Sequence, residues 1–193
     1  MIRWFTLSLA NTSNQFAAMI LSMFSHKSFI HFYLNMYVLS SFCMAWNQLS
    51  KSRSQKSGVN SHERYFAFYL TAGMCSSLLS IMVKNIGRIP HPSLGASGAI
   101  MGLIGYTCEK MPNNLLSIVF LPNFTFSADS AKNFIIGFDT VGLLIGAFSK
   151  WRYMIFDHAG HLGGMLFGIW YAKYGEEAFD NWCRKVMEYW GKK

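Results

Sequence analysis

One serine, two histidines and an asparagine supply the reactive chemistry in this sequence. Ser97 sits in Gly95-Ala96-Ser97-Gly98-Ala99-Ile100-Met101-Gly102, a serine among small residues at the start of an apolar stretch. A serine hydroxyl is a weak nucleophile until a base takes its proton, and histidine suits that task near neutral pH. His161, in Ala159-Gly160-His161-Leu162-Gly163-Gly164, is the candidate base. His31 and Asn35 are four residues apart and so project from one helix face. Either can donate a hydrogen bond to a developing oxyanion, as can the Ser97 backbone N–H. Asp157 lies one turn before His161 on the same face, but the backbone between them blocks a good aspartate–imidazole bond. The sequence therefore predicts a Ser97–His161 dyad. Taken singly, each residue has a plainer reading: Ser97 as helix packing, His31 and Asn35 as interhelical hydrogen bonds that hold a bundle together.

The elements that must position these groups follow from composition. The chain has 193 residues, 52% hydrophobic and 17% aromatic, with 13% charged. That charged fraction is about half the usual one, which indicates an integral membrane protein. The net charge of +8 does not indicate nucleic acid, because the basic residues lie between apolar segments and not in one patch. Cys43, Cys75, Cys108 and Cys183 show no paired spacing, and three of them lie in apolar segments, so free thiols are expected. No secretory signal peptide is recognisable in Met1–Ser28.

A spanning helix needs about 20 mostly apolar residues. Residues 29–49, 65–83, 93–108, 133–149 and 153–171 meet that need or approach it, giving an all-α, polytopic bundle of about five transmembrane helices. Residues 50–64 read as a polar, basic loop. Leu115–Phe126, broken by Pro122-Asn123, reads as a re-entrant or interfacial segment. The chain divides into a loop or interfacial stretch (1–28), the bundle (29–172) and a charged, amphipathic tail (173–193), all in one membrane domain. With five alternating spans, His31, Ser97 and His161 fall in the first halves of the first, third and fifth. All three therefore share one side and one depth, and polar groups inside spans mark function. Gly98 and Gly102 form one small-residue strip, Gly164 and Gly168 another. Packed together they would bring the Ser97 and His161 helices within hydrogen-bond reach.

Gly95-Ala96-Ser97-Gly98, His31-Phe32-Tyr33-Leu34-Asn35 and Ala159-Gly160-His161-Leu162-Gly163-Gly164 resemble the three signature motifs of rhomboid intramembrane serine proteases. The wording of residues 94–101, 120–128 and 156–174 is most similar to the mitochondrial presenilin-associated rhomboid-like subfamily. The resemblance implies Ser97 as nucleophile, His161 as general base, and His31 with Asn35 lining the oxyanion hole. It further implies cleavage of single-spanning membrane proteins in the mitochondrial inner membrane, without metal or cofactor. Two departures stand out. Five spans are counted against six in the rhomboid core, with Met1 falling after the family's first core helix; and Met101 stands where some rhomboids have a tyrosine stacking on the histidine.

The sequence leaves two rival readings. A rhomboid-like protein that binds membrane clients without cutting them usually lacks the serine or the histidine. A metal site using His31, His158 and His161, with His26 or Asp157, would leave the Gly-Ala-Ser-Gly context unexplained. Arg3, Lys27, Lys84, Arg88, Lys150 and Arg152 flank the site's face, and the other eleven of 17 basic residues lie opposite. The positive-inside rule then puts the site away from the matrix or cytosol.

Overall fold

The computed structural model describes residues 2–9, 14–89, 91–118, 121–148 and 157–191. Among the described residues, the bundle is built from α3 (Phe29–Ser57), α4 (Ser61–Gly87), α5 (Ser97–Lys110), α6 (Ala128–Phe148) and α7 (His158–Trp170). Before them come the short α1 (Ile2–Phe5) and α2 (Gln15–Leu21) with a 3₁₀ turn, Ser22–Phe24. After them the backbone runs through a π-helical turn, Tyr171–Gly175, into α8 (Glu176–Gly191).

α5 is the axis of the bundle. Gly98, Ala99, Ile100 and every residue from Gly102 to Cys108 are buried. It packs against α3, α4, α6 and α7. At 14 residues it is shorter than a lipid-facing span, but its surroundings are other helices, and it needs no apolar belt of its own. Among the described residues, α4 is the one helix long and apolar enough to cross a membrane by length and composition alone. Residues 153–156 and 149, at the edges of the expected fifth and fourth spans, lie outside the described residues.

The helices overrun the expected apolar boundaries. α3 continues to Ser57 and α4 starts at Ser61, so most of the stretch read as a basic loop is helix. An apolar window measures only the length that lipid requires, whereas a helix continues until its hydrogen-bond ladder is broken. Here the break falls at Gly58, whose φ of 72° lies in the region that favours glycine. α5 begins at Ser97, later than expected, because Ser93 exchanges backbone hydrogen bonds with Leu7 (2.7 and 2.9 Å). The described part of the stretch read as interfacial is a pair of antiparallel strands, β1 (Leu115–Ile118) against β2 (Leu121–Ser127), with an irregular register at Ser117/Ile118. Its connection to α6 is tied down by Ala128 N–H donating to the Asn114 carbonyl, 2.8 Å.

Two clusters fill the core. Near the site, Met23, Tyr69, Ala96, Ala99, Ile100 and Met165 pack together. Further along α5, Trp46, Phe68, Tyr106 and Tyr171 form an aromatic layer, with ring centroids 4.7 Å apart for Trp46–Tyr106 and 5.0 Å for Phe68–Tyr171. Beyond that layer α8 is fastened by charge. Tyr106 OH donates to Glu176 (2.7 Å), Lys110 pairs with Glu176 (2.7 Å), and Arg64 pairs with Asp180. The tail expected to be merely charged and amphipathic thus turns its acidic face onto the bundle.

Candidate active site

Ser97 opens α5. The residue two before it, Gly95, has φ 125°, a conformation that favours glycine, and its N–H donates to the Ser22 carbonyl (2.9 Å). The 3₁₀ turn at Ser22–Phe24 thereby fixes the approach to the serine. Lying in the first turn, Ser97 leaves its own N–H outside the helical ladder and at the positive end of the α5 dipole.

His161 lies in the first turns of α7, directly across from Ser97. Its Nε2 is 3.2 Å from Ser97 Oγ. α7 starts where it does because Asp157 caps it, accepting from Gly160 N–H at 3.0 Å. The same carboxylate meets Lys84 Nζ at 3.4 Å and Ser80 Oγ. Asp157 therefore points away from the imidazole it precedes, in line with the expectation that it would not orient His161.

The glycine strips bring α5 and α7 together, and the α5 strip serves a second neighbour as well. A Cβ at Gly164 would run into the Gly98 carbonyl, and one at Gly168 into the Gly102 carbonyl, so α7 lies directly on the α5 backbone. Gly98 and Gly102 also face α4: a Cβ at Gly102 would come 2.6 Å from the Ala72 methyl as well as 3.2 Å from the Gly164 carbonyl, and one at Gly98 would meet the Ser76 side chain. The two strips meet backbone to backbone, and the same α5 glycines also let α4 approach, so α5 uses one glycine-rich face for two neighbours. Gly168→Ala should destabilise the protein by about 1–3 kcal/mol through overpacking, read as a lowered unfolding midpoint in detergent micelles.

His31 rests over Gly95, where an added Cβ would come 2.8 Å from its Cε1 and 3.0 Å from its Nε2. Its Nδ1 accepts from the Lys27 N–H (3.3 Å), which leaves Nε2 to carry the proton. The His26 ring meets it edge-on at 5.2 Å. Asn35 is buried, and its amide donates to the His31 carbonyl one turn back (2.8 Å). Both expected oxyanion donors thus lie near the start of α3, but Asn35 is engaged with its own helix.

Two residues outside the expected set join the site. Asp139 on α6 sits with its Oδ1 3.3 Å from His161 Nδ1 and 2.7 Å from His158 Nδ1. Its side chain is 3% exposed. Gly142, one turn along α6, leaves the room the His158 ring occupies: a Cβ there would come 2.5 Å from the ring's Cε1. The signals available in the sequence were an aspartate inside an apolar run and a histidine three residues before His161.

A cavity of about 40 Å³ reaches Ser97 and His161 from the α4 side. Ser22, Ser76, Ser77, Ser80 and Ser93 line it, and it is large enough for water, which needs about 10–15 Å³. Among the described residues, no group of three or more histidines, cysteines or acids is placed to hold a metal ion.

A helical bundle with a serine and an imidazole facing each other at the mouth of its central helix defines a narrow class of protein. The rhomboid domain family matches residues 13–176, and the chain belongs to that family. It is 44% identical over 190 residues to the mitochondrial presenilin-associated rhomboid-like proteins of Homo sapiens and Bos taurus, covering 98% of this chain and 46% of each relative. It is 29% identical over 171 residues to mitochondrial Rhomboid protein 1 of Saccharomyces cerevisiae, covering 86% of this chain and 44% of that one. The chain thus spans less than half the length of these relatives. No solved structure matches it.

Proposed function

We propose that this chain is an intramembrane serine endopeptidase that cleaves single-spanning membrane proteins through a Ser97–His161 dyad, in a mitochondrial membrane. The observation that carries the reading is the 3.2 Å separation of Ser97 Oγ and His161 Nε2, on two helices held backbone to backbone by Gly164 and Gly168. The mitochondrial relatives support the location, and rhomboid membership supports the reaction class.

In this mechanism His161 Nε2 takes the Ser97 proton as Oγ attacks a peptide carbonyl. The oxyanion accepts from the Ser97 N–H, aided by the α5 dipole, and from His31 Nε2–H. Asn35 joins them once its amide turns from the His31 carbonyl. His161 then hands the proton to the departing amine, leaving an acyl ester on Ser97. Water from the serine-lined cavity, deprotonated by His161, hydrolyses that ester and restores the serine. No metal or cofactor takes part in these steps.

The test is cleavage of a model single-spanning substrate by the 193-residue chain in liposomes beside its Ser97→Ala variant. Serine-dependent products are expected. Equal cleavage by the variant refutes the mechanism, and absence of cleavage by the parent chain favours a client-binding protein.

A further inference from the structure

We propose that Asp139 is a positioning residue for His161, fixing which imidazole nitrogen carries the proton, so that a Ser97–His161–Asp139 relay, anchored by His158, replaces the simple dyad. The inference rests on the reading of Ser97 and His161 given above and deepens it. It starts from one oxygen: Asp139 Oδ1 lies 2.7 Å from His158 Nδ1 and 3.3 Å from His161 Nδ1.

A carboxylate oxygen accepts hydrogen bonds and does not donate them, so an imidazole nitrogen facing it carries the proton. For His161 that nitrogen is Nδ1, which leaves the Nε2 lone pair aimed at Ser97 Oγ, 3.2 Å away. The alternative tautomer, with hydrogen on Nε2, would donate to the serine and could not take its proton. In a neutral imidazole with no acceptor at Nδ1, nothing enforces the productive form. Asp139 enforces it, and its charge faces the imidazolium that forms when Ser97 gives up its proton.

The site is also built to hold the carboxylate still. Asp139 is 2% exposed, and a buried acid is tolerated in a bundle interior only with partners. His158 supplies the shorter of its two bonds, and the missing side chain at Gly142 lets the His158 ring settle against α6. The ring of Phe138 closes the other side, edge-on at 5.6 Å from His158. The carboxylate is thus anchored by one histidine of α7 and presented to the next, three residues on.

Two measurements on the full chain test this. Asp139→Asn keeps the shape and removes the charge; it should lower kcat about a hundredfold, the scale of a displaced general base, with KM unchanged. Labelling of Ser97 by a fluorophosphonate should slow in parallel, and Asp139→Glu should recover part of the loss. An unchanged kcat, or a loss that appears in KM and in the unfolding midpoint instead, overturns the proposal. The second measurement needs no variant: nitrogen NMR of imidazole-labelled protein in micelles should show His161 protonated on Nδ1 at neutral pH. A dominant Nε2–H form overturns it whatever the fate of the mutants. If the parent chain cleaves nothing in a Ser97-dependent way, the protease reading falls, and the tautomer measurement still decides the role of Asp139.

Discussion

His161→Ala should reduce cleavage in liposomes to the level of Ser97→Ala, and the double variant should be no slower than either single one. The reason is that the two side chains act as one device. Without the imidazole, the Ser97 hydroxyl keeps its proton; without the hydroxyl, the imidazole has nothing to activate. In a serine hydrolase, losing either partner alone costs about as much as losing both, a factor of about 10⁶ in kcat. Additive losses from the two substitutions would mean that each residue contributes separately, as packing or polar glue, and the dyad would be wrong. The control is favourable here. His161→Ala leaves Asp139 with its 2.7 Å bond to His158, so no buried carboxylate is stranded and the helices should stay in place. An unfolding midpoint close to that of the parent chain is therefore expected alongside the lost activity, and both are measurable on the same preparation.

His161 and Asp139 differ in how far the sequence alone specifies their partners. Ser97 and His161 stand in glycine-rich settings, and five alternating spans put them at one depth, so their meeting followed from helix direction alone. Asp139 was visible as a charge inside an apolar run, but its partner depended on which helices are neighbours. Asp157, nearer to His161 in sequence, caps α7 instead. The same limit explains the glycines. Gly98 and Gly102 are small on one face of α5, and nothing local says whether that face meets α7 or α4; in fact it lies between them and meets both. The strand pair within Leu115–Ser127 was hidden for a different reason. Its strands are short, with a proline and an irregular register, and show no clean alternation of polar and apolar residues to set them apart from an interfacial segment.

Asp180→Ala should cost about 3 kcal/mol of stability, more than an ordinary surface charge is worth, while leaving the chemistry of a folded molecule intact. The Arg64 side chain is 1% exposed and Asp180 9%, so the pair that fastens α8 to the start of α4 is shielded from solvent. Removing the carboxylate leaves a guanidinium in that shielded place with its charge no longer balanced by its closest acid. The remaining acid nearby, Glu176, is already shared between Lys110 at 2.7 Å and Arg53 at 3.6 Å. Arg64→Met combined with Asp180→Ala should recover most of the loss, because an apolar chain of similar length keeps the contact with the Phe179 ring that Arg64 now makes at 5.2 Å, and what stays lost is the half-exposed 3.4 Å pair of Asp180 with Arg53. Denaturant or thermal unfolding in micelles reads both values. The site should be spared because α5 separates the two ends: from Ser97 to Lys110 the helix rises about 20 Å along its axis. A single variant as stable as the parent would show that the aromatic layer of Trp46, Phe68, Tyr106 and Tyr171, and not the ion pairs beyond it, holds α8 against the bundle.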